Sequence, residues 1–158
     1  MATQAKLSDY GISVGTLPSG PLGKISDVPG VTVGHCTVDT QTQKTGVTVV
    51  MPCADDMFAQ KLPAAACVLN GFGKTAGLVQ IGELGTLETP VLLTNTLSVG
   101  DAWRGLSQAM IESEPSIGGA AGTVNPLVCE CNDGFLNDIR VQAVTPELAR
   151  QALAAAAP

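Results

Sequence analysis

An α/β fold is predicted for this 158-residue chain by three observations. Short apolar, β-branched runs of strand length recur along it, Thr45–Met51 and Pro90–Thr94 being the clearest. Helical patterns with recognisable starts, at Ser98 and at Thr145, alternate with those runs. Hydrophobic residues make up 45% of the chain but aromatics only 3%, so its core is expected to consist of Val, Leu, Ile and Ala in close layers. One domain over residues 1–158 is expected, large enough to bury roughly 70% of the unfolded surface.

Residues 1–10 read as a loose polar lead, and residues 11–34 are turn-rich, with Pro18, Pro21 and Pro29. They close in a short strand at Val31-Thr32-Val33. Thr45–Met51 is a strand ended by Pro52, and Ala64–Asn70 reads as a second, buried strand entering a Gly-rich turn. Thr75–Leu84 fits a helix, weakened by Gly77 and Gly82. After the strand at Pro90–Thr94, Ser98 is suited to cap a helix running to about Ser113, with Trp103, Leu106, Met110 and Ile111 as its apolar stripe. A Gly- and Ala-rich loop then leads to a buried strand at Leu127-Val128-Cys129. Thr145-Pro146-Glu147 opens the last helix with a cap, a proline at its first position and an acid in its first turn. That helix has Leu148 and Leu153 on one face and otherwise only Ala, so it should pack in a close groove or against something outside this chain.

A net charge of −6 without clustered Lys or Arg argues against nucleic acid as a partner. No segment reaches the ~18 consecutive apolar residues of a membrane span. Residues 1–15 lack a basic region followed by a hydrophobic core, so a cytoplasmic location is expected. Cys36, Cys53, Cys67, Cys129 and Cys131 are odd in number and contain no Cys-x-x-Cys spacing. They are read as small buried apolar residues. With one His in the chain, no metal site is expected, and no cofactor.

The most informative stretch is Glu130–Ile139, which follows the Leu127–Cys129 strand with two Asn, two Asp and a Gly. Such a turn tolerates positive φ and can aim side-chain amides at one point, as charge stabilisation requires. Asp133 and Asp138 would serve either as acid and base or as acceptors for turn backbone. The chain stops at Pro158 with no obvious nucleophile or general base, which together with that turn suggests half of an enzyme. His35, the one candidate base, is read as a hydrogen-bonded strand-end histidine, since neighbouring Cys36 would point to the opposite face. Gly73-Lys74-Thr75 matches only the end of a P-loop pattern, whose first glycine would fall at Val68. The Gly-rich segment is therefore taken as a tight strand-to-helix turn.

Four ordered segments carry a resemblance. Ile25–His35, Val68–Gly73, Pro90–Gly100 and Cys131–Ile139 together resemble the L-aminopeptidase/D-Ala-esterase (β-aminopeptidase) family of self-processing hydrolases, and the match extends from about Ile25 to Ala157. The resemblance implies a precursor that cuts itself once into α and β chains that stay together. The new N-terminal Ser or Thr of the β chain would be the nucleophile and its own α-amine the base, which titrates at about 7.7–8, near the optimum for proton transfer at neutral pH. By resemblance, this chain is the α subunit, and the fold a four-layer α/β/β/α sandwich completed by the β chain. Short peptides, amino-acid amides or esters would be the substrates, and αβ units would form oligomers.

In that frame Asn137 matches the family's oxyanion donor, a group worth roughly 10²–10³ in rate. Phe72 stands where some members carry Tyr, so it would wall the substrate pocket without a hydroxyl. Asn95 is a further lining candidate. The loop between Ser113 and Pro126 is shorter than in typical members. Alternatives to the hydrolase are an acyltransferase on a related fold and a catalytically silent binding protein.

Overall fold

The computed structural model describes residue 5 and residues 7–158. Of the expected N-terminal lead, Leu7–Tyr10 form a 3-10 turn with no buried residue, and residues 1–4 and 6 lie outside the described residues. Strands β1 (Thr32–Asp39) and β2 (Lys44–Met51) make an antiparallel hairpin, paired from Thr32 with Met51 to Asp39 with Lys44. The strand read at Val31–Val33 is thus much longer, because the β-branched run of β2 offers a partner to every residue through Asp39. Strands β3 (Leu62–Pro63) and β4 (Thr75–Ala76), helix α1 (Leu78–Leu84), and strands β5 (Thr86–Leu87) and β6 (Val91–Thr94) follow. Helix α2 (Val99–Ser113), strand β7 (Leu127–Glu130) and helix α3 (Pro146–Ala154) complete the order.

The main sheet runs β1-β2-β6-β7-β4, with β6 and β7 parallel and the other pairs antiparallel. Helix α2 connects the two parallel strands, as a parallel pair requires a long crossover. β3 and β5 form a separate two-stranded ribbon. One face of the sheet, with Val47, Val49, Leu92 and Val128, is buried under Val99, Ala102 and Leu106 of α2 and Ala149 and Ala152 of α3. The opposite face carries His35, Thr48, Val50, Leu93 and Cys129 and stays partly open, with His35 and Leu93 exposed.

The Ala-rich α3 lies in a close groove, the first of the two arrangements its composition allowed. A methyl at Gly105 of α2 would meet the Pro146 carbonyl oxygen at 2.4 Å and the Ala149 methyl at 2.8 Å. At Gly34 of β1 it would meet the Ala152 carbonyl at 2.0 Å. Small residues on both sides let the helix backbone approach closely, so it needs few large side chains. This approach also turns α2: its buried residues are Val99, Ala102, Gly105 and Leu106, while Trp103 and Ile111 of the expected stripe are exposed.

Two further expectations change. Ala64–Asn70 is not a strand, and Val68 and Leu69 are 64% and 95% exposed. An apolar run becomes a strand only with a neighbour some 4.8 Å away, and the described residues supply none there. The cysteines are free thiols, with Cys67 and Cys131 exposed and the other three half-buried, because two lie in loops beyond the core and the rest near its margins. Among the described residues no helix is long and apolar enough to cross a membrane.

Candidate functional site

The topology brings four strand termini to one edge of the sheet. β2 begins at Lys44, β6 ends at Thr94, β7 ends at Glu130 and β4 begins at Thr75, all on the same side. Three strand spacings make that edge about 14 Å across. The three residues singled out from sequence all sit on it: Asn95 directly after β6, Phe72 just before β4, and Asn137 against the first residue of β2.

Asn137 is held from every side. The turn after β7 starts with an Asx hydrogen bond, Gly134 N–H to Asn132 Oδ1 at 2.9 Å. It closes when the Leu136 and Asn137 N–H groups donate to the Asp133 carbonyl at 2.9 and 3.0 Å. Asp138 N–H then donates to the Thr42 carbonyl at 2.9 Å, tying the turn to the β1–β2 hairpin. The Asn137 side chain is buried, at 6% exposure. Its Oδ1 accepts from Lys44 N–H at 3.3 Å, and its Nδ2 donates to Asp133 Oδ1 at 3.1 Å. These two contacts fix which end of the amide is nitrogen, and they use one of its two N–H bonds. The second N–H is the chemically useful one: a rigid neutral donor at a sheet edge, suited to an oxygen that gains negative charge.

Asn95 turns inward. It is 2% exposed, donates from Nδ2 to Thr45 Oγ1 at 2.9 Å, and accepts at Oδ1 from Leu97 and Ser98 N–H at 3.1 Å each. It caps the 3-10 turn Thr96–Ser98 that leads into α2, so the cap expected of Ser98 falls to Asn95, and the Ser98 hydroxyl makes no cap bond. Phe72 is 78% exposed, with the Lys74 ammonium 3.8 Å from its ring centre. Phe135 and Leu136, in the turn that carries Asn137, are 99% and 70% exposed.

The remaining candidates are local. Asp138 Oδ1 accepts from Arg140 N–H at 3.3 Å, so its carboxylate serves the turn. His35 Nδ1 lies 2.9 Å from Thr48 Oγ1 across the hairpin, and among the described residues no carboxylate pairs with the ring. Burial pushes the Cys129 thiol pKa up, which disfavours the thiolate a nucleophile needs. The Gly-rich segment differs from the turn expected: no strand enters it at Asn70, its Thr75–Ala76 form β4, and Gly77 alone turns β4 into α1. Gly77, at φ 93°, brings the segment against Pro126, whose carbonyl would lie 2.5 Å from any Cβ there. Sequence reasoning missed the groups that hold Asn137. The Lys44 N–H leaves no sequence trace, whereas the four-residue step from Asp133 to Asn137 is one helical turn and was a usable signal.

The model of peptidase family S58 matches residues 23–158. A beta-peptidyl aminopeptidase, BapA of Sphingosinicella microcystinivorans, is 31% identical over 160 residues, covering 94% of this chain and 38% of that protein. The crystal structure of the PH0078 protein from Pyrococcus horikoshii OT3 has a TM-score of 0.91 and 43% identity, over 97% of this chain and 46% of that one. The L-aminopeptidase D-Ala-esterase/amidase of Ochrobactrum anthropi, described as a variant of the Ntn hydrolase fold, has a TM-score of 0.82 and 29% identity, over 98% of this chain and 45% of that one. The chain therefore spans less than half the length of these relatives. Its mixed α/β fold is similar to the Ntn hydrolase fold.

Proposed function

The chain belongs to peptidase family S58, and from that premise we propose that it is the α part of a self-processed N-terminal-nucleophile aminopeptidase. It acts with a β chain from the same precursor on the free amino end of short peptides, amino-acid amides or esters. The observation that carries this reading is the buried Asn137 amide, held by Lys44 and Asp133 with one N–H unengaged among the described residues. A rigid donor of this kind gains its full value only when a tetrahedral oxyanion forms in front of it.

The reaction then divides between the chains. The β-chain nucleophile, its proton taken by its own α-amine, attacks the scissile carbonyl. Asn137 donates to the oxygen as charge develops, the amine leaves with a proton, and water releases the acyl group. Phe72 walls the pocket, and Asn95 braces the edge from beneath by tying β6 to Thr45 of β2. The partly open sheet face supports a second sheet from the β chain and so the four-layer α/β/β/α sandwich, with residues 1–158 as one unit of it. Assembly of αβ units into an oligomer and a cytoplasmic location belong to the same proposal.

The test is intact mass and N-terminal sequencing of the complete gene product, followed by an assay on amino-acid p-nitroanilides. Two chains, the second beginning with Ser, Thr or Cys, and release of nitroaniline are expected. One uncut chain without activity would overturn the proposal.

A further inference from the structure

We infer that Asp133 is the positioning residue for this reaction, its carboxylate setting the direction in which Asn137 presents its remaining N–H. The inference rests on the proposed role of Asn137 and deepens it. Asp133 reaches Asn137 twice. Its carbonyl accepts the Asn137 backbone N–H at 3.0 Å, and its Oδ1 accepts the side-chain Nδ2–H at 3.1 Å. Backbone and side chain of the donor are thus referred to one residue a single helical turn earlier. The carboxylate is half-buried, and Asn137 is its one hydrogen-bond partner among the described residues.

Without that carboxylate, the contact left to the amide is the 3.3 Å bond from Lys44 N–H to Oδ1. A single acceptor contact at the oxygen leaves the terminal torsion of an Asn broad, because rotation about it has no sharp minimum. The free N–H would then sweep an arc rather than point at the developing charge, and misplacement by about 1 Å can cost on the order of 10²-fold in rate. Asp133 itself touches no reacting atom in this scheme. Its loss should therefore lower kcat while leaving substrate binding alone.

The experiment uses the complete gene product with kcat counted per processed αβ pair, comparing Asp133→Ala, Asp133→Glu, Asn137→Ala and Asp133→Ala/Asn137→Ala. Asn137→Ala is expected to lose roughly 10²–10³ in kcat. Asp133→Ala should lose about 10- to 100-fold in kcat with KM changed less than about 3-fold. The double variant should be no slower than Asn137→Ala alone, because the two residues act as one unit. Asp133→Glu keeps the charge but moves the acceptor by one carbon–carbon bond, about 1.5 Å. It should lose kcat without a lower melting temperature, and it carries the test should Asp133→Ala give no folded protein. Where precursor accumulates, the rate of self-cleavage is read in the same way. Wild-type kcat in either Asp133 variant beside a crippled Asn137→Ala, or additive losses in the double variant, would overturn the role of Asp133. Wild-type kcat in Asn137→Ala would instead overturn the reading beneath it, so the two failures are distinguishable.

Discussion

Gly105→Ala tests how α3 is held. Alanine is the better helix former by about 1 kcal/mol, so at an unobstructed site in α2 the change would stabilise. At Gly105, however, the new methyl would lie 2.4 Å from the Pro146 carbonyl oxygen and 2.8 Å from the Ala149 methyl, where ordinary contacts begin at 3.4 Å. The first obstacle is backbone in the opening turn of α3, which cannot swing aside as a side-chain tip can. Helix α3 must move by about 1 Å, which disturbs the packing of its buried Ala149 and Ala152 in the core. Overpacking of this kind costs roughly 1–3 kcal/mol, and a backbone obstacle belongs at the upper end. The net expectation is a loss of about 2 kcal/mol, read as a lower melting temperature. Gly100→Ala is the control in the same helix. Nothing lies within 4 Å of its added methyl, so thermal unfolding of the complete gene product should show no loss and up to about 1 kcal/mol of gain. A Gly105→Ala melting temperature equal to or above that of Gly100→Ala would refute the close-groove account.

Glu88 is 3% exposed and binds Lys61 Nζ at 2.5 Å, Asn125 N–H at 2.8 Å and Asn125 Nδ2 at 3.3 Å. Burial opposes its charge, yet the Lys61 ammonium and the Asn125 donors prevail and hold its pKa below the ordinary 4.5. Glu88→Gln should cost about 2 kcal/mol near neutral pH, as Lys61 is itself partly exposed. Because the folded pKa is lowered, that contribution is present above the ordinary carboxylate pKa and lost as pH falls through the folded value. The wild-type advantage in urea unfolding should therefore shrink below about pH 4.5, and a gap that widened there would contradict the assignment. Asn95→Ala removes both the turn cap and the Thr45 bond, and about 1–2 kcal/mol of stability is expected to go with them. Unchanged stability with a raised KM would instead mean that Asn95 faces substrate.

The local chemistry of this protein was legible in its sequence. Thr145-Pro146-Glu147 starts α3 as read, with the Thr145 hydroxyl accepting Leu148 N–H at 3.3 Å, because capping needs only neighbours along the chain. The β-branched runs at β2 and β6 and the polar turn after β7 were equally plain, whereas within that turn Asn137 was singled out by the family resemblance. Tertiary structure alone decided what depends on residues distant in sequence. Ala64–Asn70 has strand composition but no strand, since pairing is a property of two segments and none of the described residues pairs with it as a strand. The Trp103 and Ile111 stripe lost its place to Ala102 and Gly105 because α3 approaches too closely for large side chains. Asn95 turned inward because Thr45, fifty residues earlier, offered its hydroxyl. Asn137 became a fixed donor only when the first N–H of β2, 93 residues away, reached its oxygen. Sequence specifies which groups a segment carries; the partners that orient them arrive with the fold, since a hydrogen bond has a direction that only two assembled segments can define.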